Sequence, residues 1–167
     1  MNIYSANEAD IEELTQVEIE SKRQSIPGCV EDDGIHVDSR RQRWQTYFKG
    51  QSPQTSKPQR IVLKAVTNGK MAGYLAGHLT TRYNFGAEIQ SFYILKSAQN
   101  KKIGTELLIS FVHWLTGTDA KSLCVGINPE NRYKRFCLKY GGEYLNAHWI
   151  YWNDLTRLLQ RLTQEKT

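Results

Sequence analysis

The residues best suited to chemistry form one short polar loop between two apolar stretches. The loop runs Gln99-Asn100-Lys101-Lys102-Ile103-Gly104, and the apolar patterns on either side predict a strand over residues 87–95 and a helix over about 104–115. Free backbone N–H groups at a helix start, with the positive end of the helix dipole, bind anions without any side chain. Lysines add charge for a pyrophosphate. The loop therefore predicts a phosphate site; a plain strand-to-helix turn with surface lysines is the alternative.

Turn residues and apolar periodicity place this loop in an α/β domain. The predicted order is one strand, two helices, three strands, a helix, a strand, a helix, two strands and a last helix, which gives a mixed sheet with helices on both faces. Asn68-Gly69 between apolar runs predicts a β-hairpin. Asp38 is predicted to cap the second helix, and the prolines in residues 51–59 predict a mobile loop. A later helix is predicted over residues 131–140.

The chain is predicted to be a single domain over residues 1–167, with a core over 1–154 and an appended amphipathic helix over 155–164. That helix follows Asp154 and has four leucines on one face, at Leu155, Leu158, Leu159 and Leu162. So large an apolar surface is unfavourable in water. We therefore expect the leucines to be buried against the protein's own sheet or in a homodimer.

Charge and cysteine content narrow the functional classes. Residues 1–38 hold ten acids and two bases, a net of −8, whereas residues 39–167 hold seven acids and twenty bases, a net of +13. A basic body favours an anionic ligand, although solvated surface charge explains the same numbers. The three cysteines form neither a CxxC pair nor an even set for disulfides, which predicts a reduced, cytoplasmic protein. The absence of a leader or a long apolar run predicts that the protein has no membrane segment. The histidines lack metal spacing, and basic residues do not alternate with aromatic ones, so neither a metal nor a nucleic acid is expected.

The sequence resembles the GNAT superfamily of N-acetyltransferases, and two motifs carry the resemblance. Residues 99–104 match the family's pyrophosphate loop, Q/R-x-x-G-x-G/A, at the first and last defined positions, but Lys102 replaces its central glycine. Residues 128–142 resemble the family segment N-x-x-N-x-x-A-x-x-F-Y-x-x-x-G-F, with agreement at Asn128, Asn131, Phe136 and Gly141. The order of elements also agrees, so the resemblance covers residues 1–154.

The resemblance implies a mostly antiparallel sheet in which two central strands splay apart. The pantetheine arm of acetyl-CoA, the implied co-substrate, would then hydrogen-bond to the end of one strand as if it were another strand. The phosphates would bind the loop, and the second motif would face the arm. The residues implied in cofactor binding are Ile94, Leu95, Gln99, Asn100, Lys101, Lys102, Ile103, Gly104, Thr105, Asn128, Asn131, Tyr133, Lys134 and Phe136.

Direct acetyl transfer to an amine needs a base and a stabilised leaving thiolate. Glu88 is the candidate base, because the resemblance places it beside the acceptor cleft, where the family often has an acid that acts through water. A strand-end carboxylate paired with a basic side chain is the alternative. Cys137 occupies the position of the family's usual acid, a tyrosine, and either donates a proton or is a small buried residue. Tyr133, four residues earlier on the same helix face, either substitutes for it or packs against the cofactor.

The acceptor is predicted to be the amine of a small molecule, a peptide or a protein, with a further positive charge. In the family, the segment between the first two helices borders the acceptor side. Here that segment contains Glu31, Asp32 and Asp33, and the preceding helix adds Glu12, Glu13, Glu18 and Glu20. These acids equally fit solvated capping charges. A second class of function is an acetyl-CoA-binding sensor or interaction module with little turnover, which Lys102 and Cys137 favour.

Overall fold

The structure is a computed structural model that describes residues 1–25 and 34–165. Its strands are β1 (Asn2–Ser5), β2 (Ser56–Thr67), β3 (Lys70–Thr80), β4 (Ala87–Ile94), β5 (Leu123–Gly126), β6 (Glu143–Asn146) and β7 (Trp149–Trp152). Its α-helices are α1 (Ile11–Ser25), α2 (Gly34–Phe48), α3 (Ile103–Thr116), α4 (Lys134–Lys139) and α5 (Leu155–Gln164). None of the helices in these two ranges is long and apolar enough to cross a membrane.

All seven strands form one open sheet in the order β1-β2-β3-β4-β5-β7-β6. Neighbouring strands are antiparallel except for β4 and β5, which are parallel. The β2–β3 hairpin turns at Asn68 and Gly69, which have φ of 52° and 74°, as a turn that matches the strand twist requires. The predicted hairpin and the predicted mixed, mostly antiparallel sheet are confirmed.

The parallel strands β4 and β5 separate soon after they meet. Residues 87–89 pair with residues 123–125 and the pairing ends there, although β4 continues to Ile94. A register shift opposite Ala76 and Gly77 leaves Gln90 as an extra residue in β4, and a bulge of this kind bends a strand. Among the described residues, no strand pairs with the last part of β4 on its β5 side, and a cleft opens there.

Helices cover both faces of the sheet, as predicted. On one face, α1 and α2 bury Leu14, Trp44 and Tyr47 against Tyr74 of β3. On the other face, α3 lies across β2, β3 and β4 and forms the larger core together with α5. Gly77 allows α3 to approach closely, because a β-carbon there would come within 2.3 Å of the Phe111 ring.

Two predicted helix boundaries were wrong. Asp38 does not cap α2, because that helix begins at Gly34 and Asp38 lies inside it, paired with Arg41 at 2.7 Å. The helix predicted over residues 131–140 is limited to α4. Its start is delayed because the Asn131 side chain forms a turn of its own, in which Oδ1 accepts a hydrogen bond from the N–H of Tyr133 (2.9 Å).

The proline-containing segment 51–59 is only partly a loop, which also corrects the prediction. Its second half belongs to β2, which begins at Ser56. Arg60 holds the first half in place, because its guanidinium donates to the carbonyl oxygens of Tyr47 (2.8 Å) and Ser52 (2.9 Å). The sequence pattern could not show this, since the contact joins the segment to α2 through a residue outside it.

The appended helix α5 packs against the core of the same chain. Asp154 caps the helix by accepting a hydrogen bond from the N–H of Arg157 (3.0 Å). The leucines pack with α3, and those that are fully buried are Leu155, Leu158 and Leu162. Leu159 is partly buried at the edge of the same cluster. The apolar face is therefore covered within one chain.

Replacing Leu158, which is 1% exposed, with alanine should lower the free energy of unfolding by about 2–5 kcal/mol, because the change leaves a cavity between α5 and α3. Gln160 lies on the exposed face of the same helix. Gln160→Ala is therefore the matched control and should change the free energy by less than about 0.5 kcal/mol. Urea denaturation measures both variants. Equal stability of the two would show that α5 is not part of the core.

Candidate active site

The polar loop before α3 has the backbone of an anion site. Asn100 and Lys102 both adopt left-handed conformations, with φ of 59° and 61°. Lys102 stands where the family motif has glycine and takes the conformation that glycine favours, at a cost of about 1–3 kcal/mol. Lys102 directly precedes α3, and its side chain does not cap the helix. The N–H groups of the first helical turn therefore point outward without an acceptor inside the helix.

Hydrogen bonds fix the start of the loop to the end of β4. Gln99 donates from Nε2 to the carbonyl oxygen of Ile94 (3.1 Å). Leu95 donates to the carbonyl oxygen of Ala72 (2.9 Å) and accepts from the N–H of Ala98 (2.8 Å). Both backbone groups of Leu95 are thus used inside the protein, so the contact predicted between Leu95 and an extended ligand is not available. Backbone direction alternates along a strand, so the N–H of Ile94 faces the cleft.

A cavity of about 880 Å³ lies between this loop, α4 and the end of α1. Most of the residues implied in cofactor binding line it, namely Ile94, Gln99, Asn100, Lys102, Ile103, Gly104, Thr105, Asn131, Tyr133 and Phe136. The implied residues that do not line it are Leu95, Lys101, Asn128 and Lys134. The cavity therefore combines an anion-binding backbone with an aromatic wall, which suits a long ligand that carries phosphates at one end.

Local turns explain the polar residues before α4. Asn128 and Asn131 each accept, through Oδ1, a hydrogen bond from the backbone N–H two residues later (3.0 and 2.9 Å). Lys134 directs its amine to the carbonyl oxygen of Pro129. Asn128 and Lys134 thus stabilise the turn itself. Asn131 both forms a turn and lines the cavity.

The aromatic wall of the cavity includes Tyr133, which stacks on Phe136 with ring centroids 5.8 Å apart and meets Phe92 edge-on at 5.3 Å. The Tyr133 hydroxyl is buried beside the Cys137 thiol and makes no regular hydrogen bond to a described residue. Burial raises the pKa of Tyr133 well above its ordinary value and raises the pKa of Cys137 to about 12. Both groups are buried, and their raised pKa values make them weaker proton donors than an ordinary phenol or thiol, which favours packing.

Several residues that border the cavity were not predicted from the sequence. The Tyr140 hydroxyl donates to Glu165 Oε2 (2.6 Å) and shares a hydrogen bond with the Thr105 hydroxyl (3.0 Å). Lys139 pairs with Glu165 at 2.8 Å. Tyr140 lies one helical turn after Phe136, so helical spacing was a usable signal for it. Nothing local indicates Glu165, because the packing of α5 brings this residue to the cavity.

Glu88 lies at the opposite end of β4 from the loop and is 3% exposed. Its Oε2 atom accepts hydrogen bonds from Thr80 Oγ1 (3.2 Å) and Arg82 Nε (3.0 Å). His78 Nε2 lies 3.5 Å from Oε2, in a long and poorly aligned contact. Burial by itself raises the pKa of Glu88, but the interactions with His78 and Arg82 outweigh it and leave the pKa below its ordinary value. Glu88 is therefore ionised at neutral pH and paired through one oxygen.

Aromatic side chains flank the Glu88 ion pair. The Arg82 guanidinium lies over the Trp149 ring, 4.9 Å from its centroid, and the Tyr83 ring meets the same indole at 5.5 Å. Tyr83 has a left-handed backbone, with φ of 51°, which is unusual for a bulky residue. Half of the Tyr83 side chain is exposed. The surface next to Glu88 is therefore aromatic, and the Arg82 guanidinium on it is already paired with a carboxylate.

The acids predicted to attract a cationic acceptor fall into two groups. The first group, Glu31, Asp32 and Asp33, lies outside the described residues. The acids of α1 stabilise the fold instead: Glu12 pairs with Arg41 (2.7 Å), Glu18 pairs with Arg40 (2.5 Å), and Glu13 accepts a backbone N–H of β3 (2.8 Å). The prediction of acceptor binding is therefore corrected for Glu12, Glu13 and Glu18. For Glu20, which accepts a hydrogen bond from Gln24 Nε2 (2.6 Å), it stays a prediction.

Comparison with known proteins agrees with this fold and cavity. The model of the acetyltransferase (GNAT) family matches residues 23–141. That match spans more than half of the chain, and the protein belongs to this family of acetyltransferases. No curated protein matches the chain.

Solved structures share the fold at low sequence identity. The PaiA N-acetyltransferase of Thermoplasma acidophilum, in complex with coenzyme A, is 18% identical, with 90% of this chain and 98% of that chain covered and a TM-score of 0.67. A GNAT acetyltransferase of Brucella melitensis, in complex with acetyl-CoA, is 18% identical, with 91% of this chain and 86% of that chain covered and a TM-score of 0.57. A GNAT acetyltransferase of Staphylococcus aureus Mu50 is 15% identical, with 91% of this chain and 98% of that chain covered and a TM-score of 0.70.

The left-handed backbone of Lys102 gives a stability prediction. Lys102→Gly should raise the free energy of unfolding by about 1 kcal/mol, because glycine adopts this conformation without strain. Lys101 is the matched control, since it does not have a positive φ. Lys101→Gly should lower the free energy of unfolding by about 0.4–1 kcal/mol, because the unfolded chain gains freedom. Chemical denaturation compares the two, and the reverse order of stability would contradict the loop backbone.

Proposed function

We propose that this acetyltransferase takes the acetyl group of acetyl-CoA and transfers it directly to a primary amine. The observation that carries the proposal is the cavity at the gap between β4 and β5, which has the start of α3 at one end and an unpaired edge of β4 along its side. A helix start suits phosphate groups, and an unpaired strand edge suits an extended, amide-containing arm. The Thermoplasma and Brucella proteins, crystallised with coenzyme A and acetyl-CoA, share this fold.

Different residues around the cavity would bind different parts of the proposed cofactor. The backbone N–H groups of Gly104 and Thr105 take the pyrophosphate, and Lys102 adds positive charge. The N–H of Ile94 binds the pantetheine arm, which packs on the aromatic wall at Phe136. Further basic side chains line the same cavity and suit the remaining phosphate, namely Arg23, Lys96, Arg132 and Lys139.

The proposed chemistry uses Glu88 as the base. The amine nitrogen attacks the thioester carbonyl carbon, a C–N bond forms, the C–S bond breaks, and coenzyme A leaves as a thiolate that takes a proton from solvent. The proton lost by the amine goes to Glu88, directly or through a water molecule. Glu88 suits this role because it is ionised at neutral pH and held by its neighbours. We assign Tyr133 and Cys137 to packing, since their hydroxyl and thiol are buried.

We also propose that the acceptor amine carries a second positive charge. This proposal rests on the acids Glu31, Asp32 and Asp33. The cofactor's phosphates would occupy the basic cavity, and a cationic acceptor would be attracted to these acids instead. The aromatic surface formed by Tyr83 and Trp149 is compatible with such an amine, because aromatic faces attract cations.

Substitution of Gly104 tests the cofactor site. A β-carbon at Gly104 would lie 3.5 Å from Phe136 and 3.6 Å from Phe92, which is ordinary contact, so Gly104→Ala should fold. Gly104→Asp should also fold, because an acid suits the first turn of a helix, but its charge opposes the pyrophosphate. Acetyl-CoA should raise the melting temperature of the wild type and of Gly104→Ala, but not that of Gly104→Asp. The neutral variant Gly104→Asn separates charge from size. An equal shift in Gly104→Asp would contradict the site.

An acceptor screen read by thiol release tests the reaction and the acceptor together. We expect polyamines or lysine-rich peptides to release thiol from acetyl-CoA faster than neutral amines do. Asp32→Ser combined with Asp33→Ser should raise the Michaelis constant for the cationic acceptor and weaken its salt dependence, and should leave the constant for acetyl-CoA unchanged. The control removes two exposed acids elsewhere, Glu8 and Asp119. A neutral best acceptor would contradict the charge proposal, and binding without thiol release would favour a binding module.

A further inference from the structure

Tyr47 of α2, His78 of β3 and Glu88 of β4 are buried polar side chains that lie one after another across the sheet face. Tyr47, His78 and Glu88 are 4%, 0% and 3% exposed. The Tyr47 hydroxyl lies 3.0 Å from His78 Nδ1, and His78 Nε2 lies 3.5 Å from Glu88 Oε2. Polar groups buried without partners cost free energy, whereas a connected set positions its members. This set ends on the carboxylate that we propose as the base.

The surroundings fix the direction of the hydrogen bonds in this set. Burial and the charge of Glu88 raise the pKa of Tyr47 above its ordinary value, although Arg60 opposes the shift, so the hydroxyl keeps its proton. Among the described residues, the Tyr47 hydroxyl has no acceptor other than His78 Nδ1. In this arrangement Nδ1 accepts and the ring proton lies on Nε2, which faces Glu88 Oε2 at 3.5 Å without the alignment of a regular hydrogen bond.

We propose that Tyr47 and His78 are positioning residues for Glu88, in which His78 holds Oε2 of the carboxylate and so presents Oε1 to the acceptor amine. This inference rests on the proposed role of Glu88 as the base. No proton passes along this set of side chains. The Tyr47 proton stays on its oxygen, the His78 proton stays on Nε2, and the amine proton arrives at Oε1, which has no hydrogen bond to a described residue.

The other charged and titratable groups around Glu88 do not replace this support. In the described part of the chain, Arg82 is the only one of these groups that donates a regular charged hydrogen bond to Glu88. Its side chain is 28% exposed and also lies over Trp149, so an acceptor that binds there competes for it. Cys124 of β5 is neutral, because burial and the charge of Glu88 raise its pKa to about 12. His78 is fully buried, and it therefore keeps its position when the outer contact of Glu88 changes.

The test compares variants by the pH dependence of kcat/KM, with Glu88→Gln as the reference. Tyr47→Phe keeps the ring but loses the hydroxyl, and His78→Leu loses the donor, whereas His78→Gln retains an N–H donor near the Nε2 position. Tyr74→Phe is the matched control, because Tyr74 is a fully buried tyrosine of the same core. The kcat/KM of each variant is divided by the kcat/KM of the wild type at the same pH, so the titration of the acceptor amine cancels from the ratio.

We expect Tyr47→Phe and His78→Leu to lose about tenfold more activity near pH 5 than near pH 8. His78→Leu removes the imidazole N–H that faces the carboxylate, and Tyr47→Phe removes the hydroxyl that orients this imidazole, so both variants raise the pKa of Glu88 and move the acidic limb to higher pH. His78→Gln and Tyr74→Phe should give flat ratios. Should His78→Leu fail to fold, Tyr47→Phe gives the same comparison. Flat ratios for Tyr47→Phe, with Glu88→Gln strongly impaired, would overturn the positioning role. Full activity of Glu88→Gln would instead overturn the base role and, with it, this inference.

A spectroscopic measurement tests the same arrangement without turnover. In protein labelled with ¹⁵N at histidine, the His78 ring should show the neutral tautomer with its proton on Nε2. The Tyr47→Phe variant should lose this preference and give a mixed signal, whereas Tyr74→Phe should not. A wild-type ring with its proton on Nδ1 would overturn the proposal, because Nε2 would then have no proton to direct at Glu88.

Discussion

The separation of β4 from β5 is the constraint on which the rest of this structure depends. Two parallel strands that pair over only three residues each leave one edge of β4 without a partner, and unpaired backbone groups in a buried position are costly. The protein tolerates this edge because the gap opens into a cavity of about 880 Å³. The bulge at Gln90 bends the strand away from its neighbour. The cavity is therefore a product of strand geometry and does not depend on a separate binding domain.

The same strand also separates two electrostatic environments. Its last residues lead into a loop that carries backbone donors and lysines, and its second residue is a buried carboxylate. Strand β4 thus has a group that suits anions at one end and a negatively charged group at the other. Left-handed Lys102 shows that the anion end keeps its backbone shape despite an unfavourable residue. The carboxylate end is held by hydrogen bonds from Thr80 of β3 and from Arg82, which follows β3.

The sequence was sufficient for the order of elements and for the hairpin at Asn68, because these follow from periodicity and turn chemistry along the chain. The resemblance to the family indicated most of the residues that line the cavity. It was not sufficient for contacts between distant elements. Glu18 lies on an apparently solvent-facing row of acids, yet it binds Arg40 of the next helix. Leu95 resembles its neighbour Ile94 in sequence, but hydrogen bonds to β3 and to the loop remove it from the site. Hydrogen-bond partners of this kind depend on register, which composition does not specify.

The position of Glu165 has a practical consequence for how the protein is produced. This residue follows α5 and contacts Tyr140 and Lys139 at the cavity wall, so a purification tag fused after it would begin within a few residues of the cavity mouth. Strand β1 lies three strands from β4 in the sheet, or about 14 Å at the usual strand spacing. A tag placed before β1 would therefore start farther from the cavity mouth than one placed directly after Glu165.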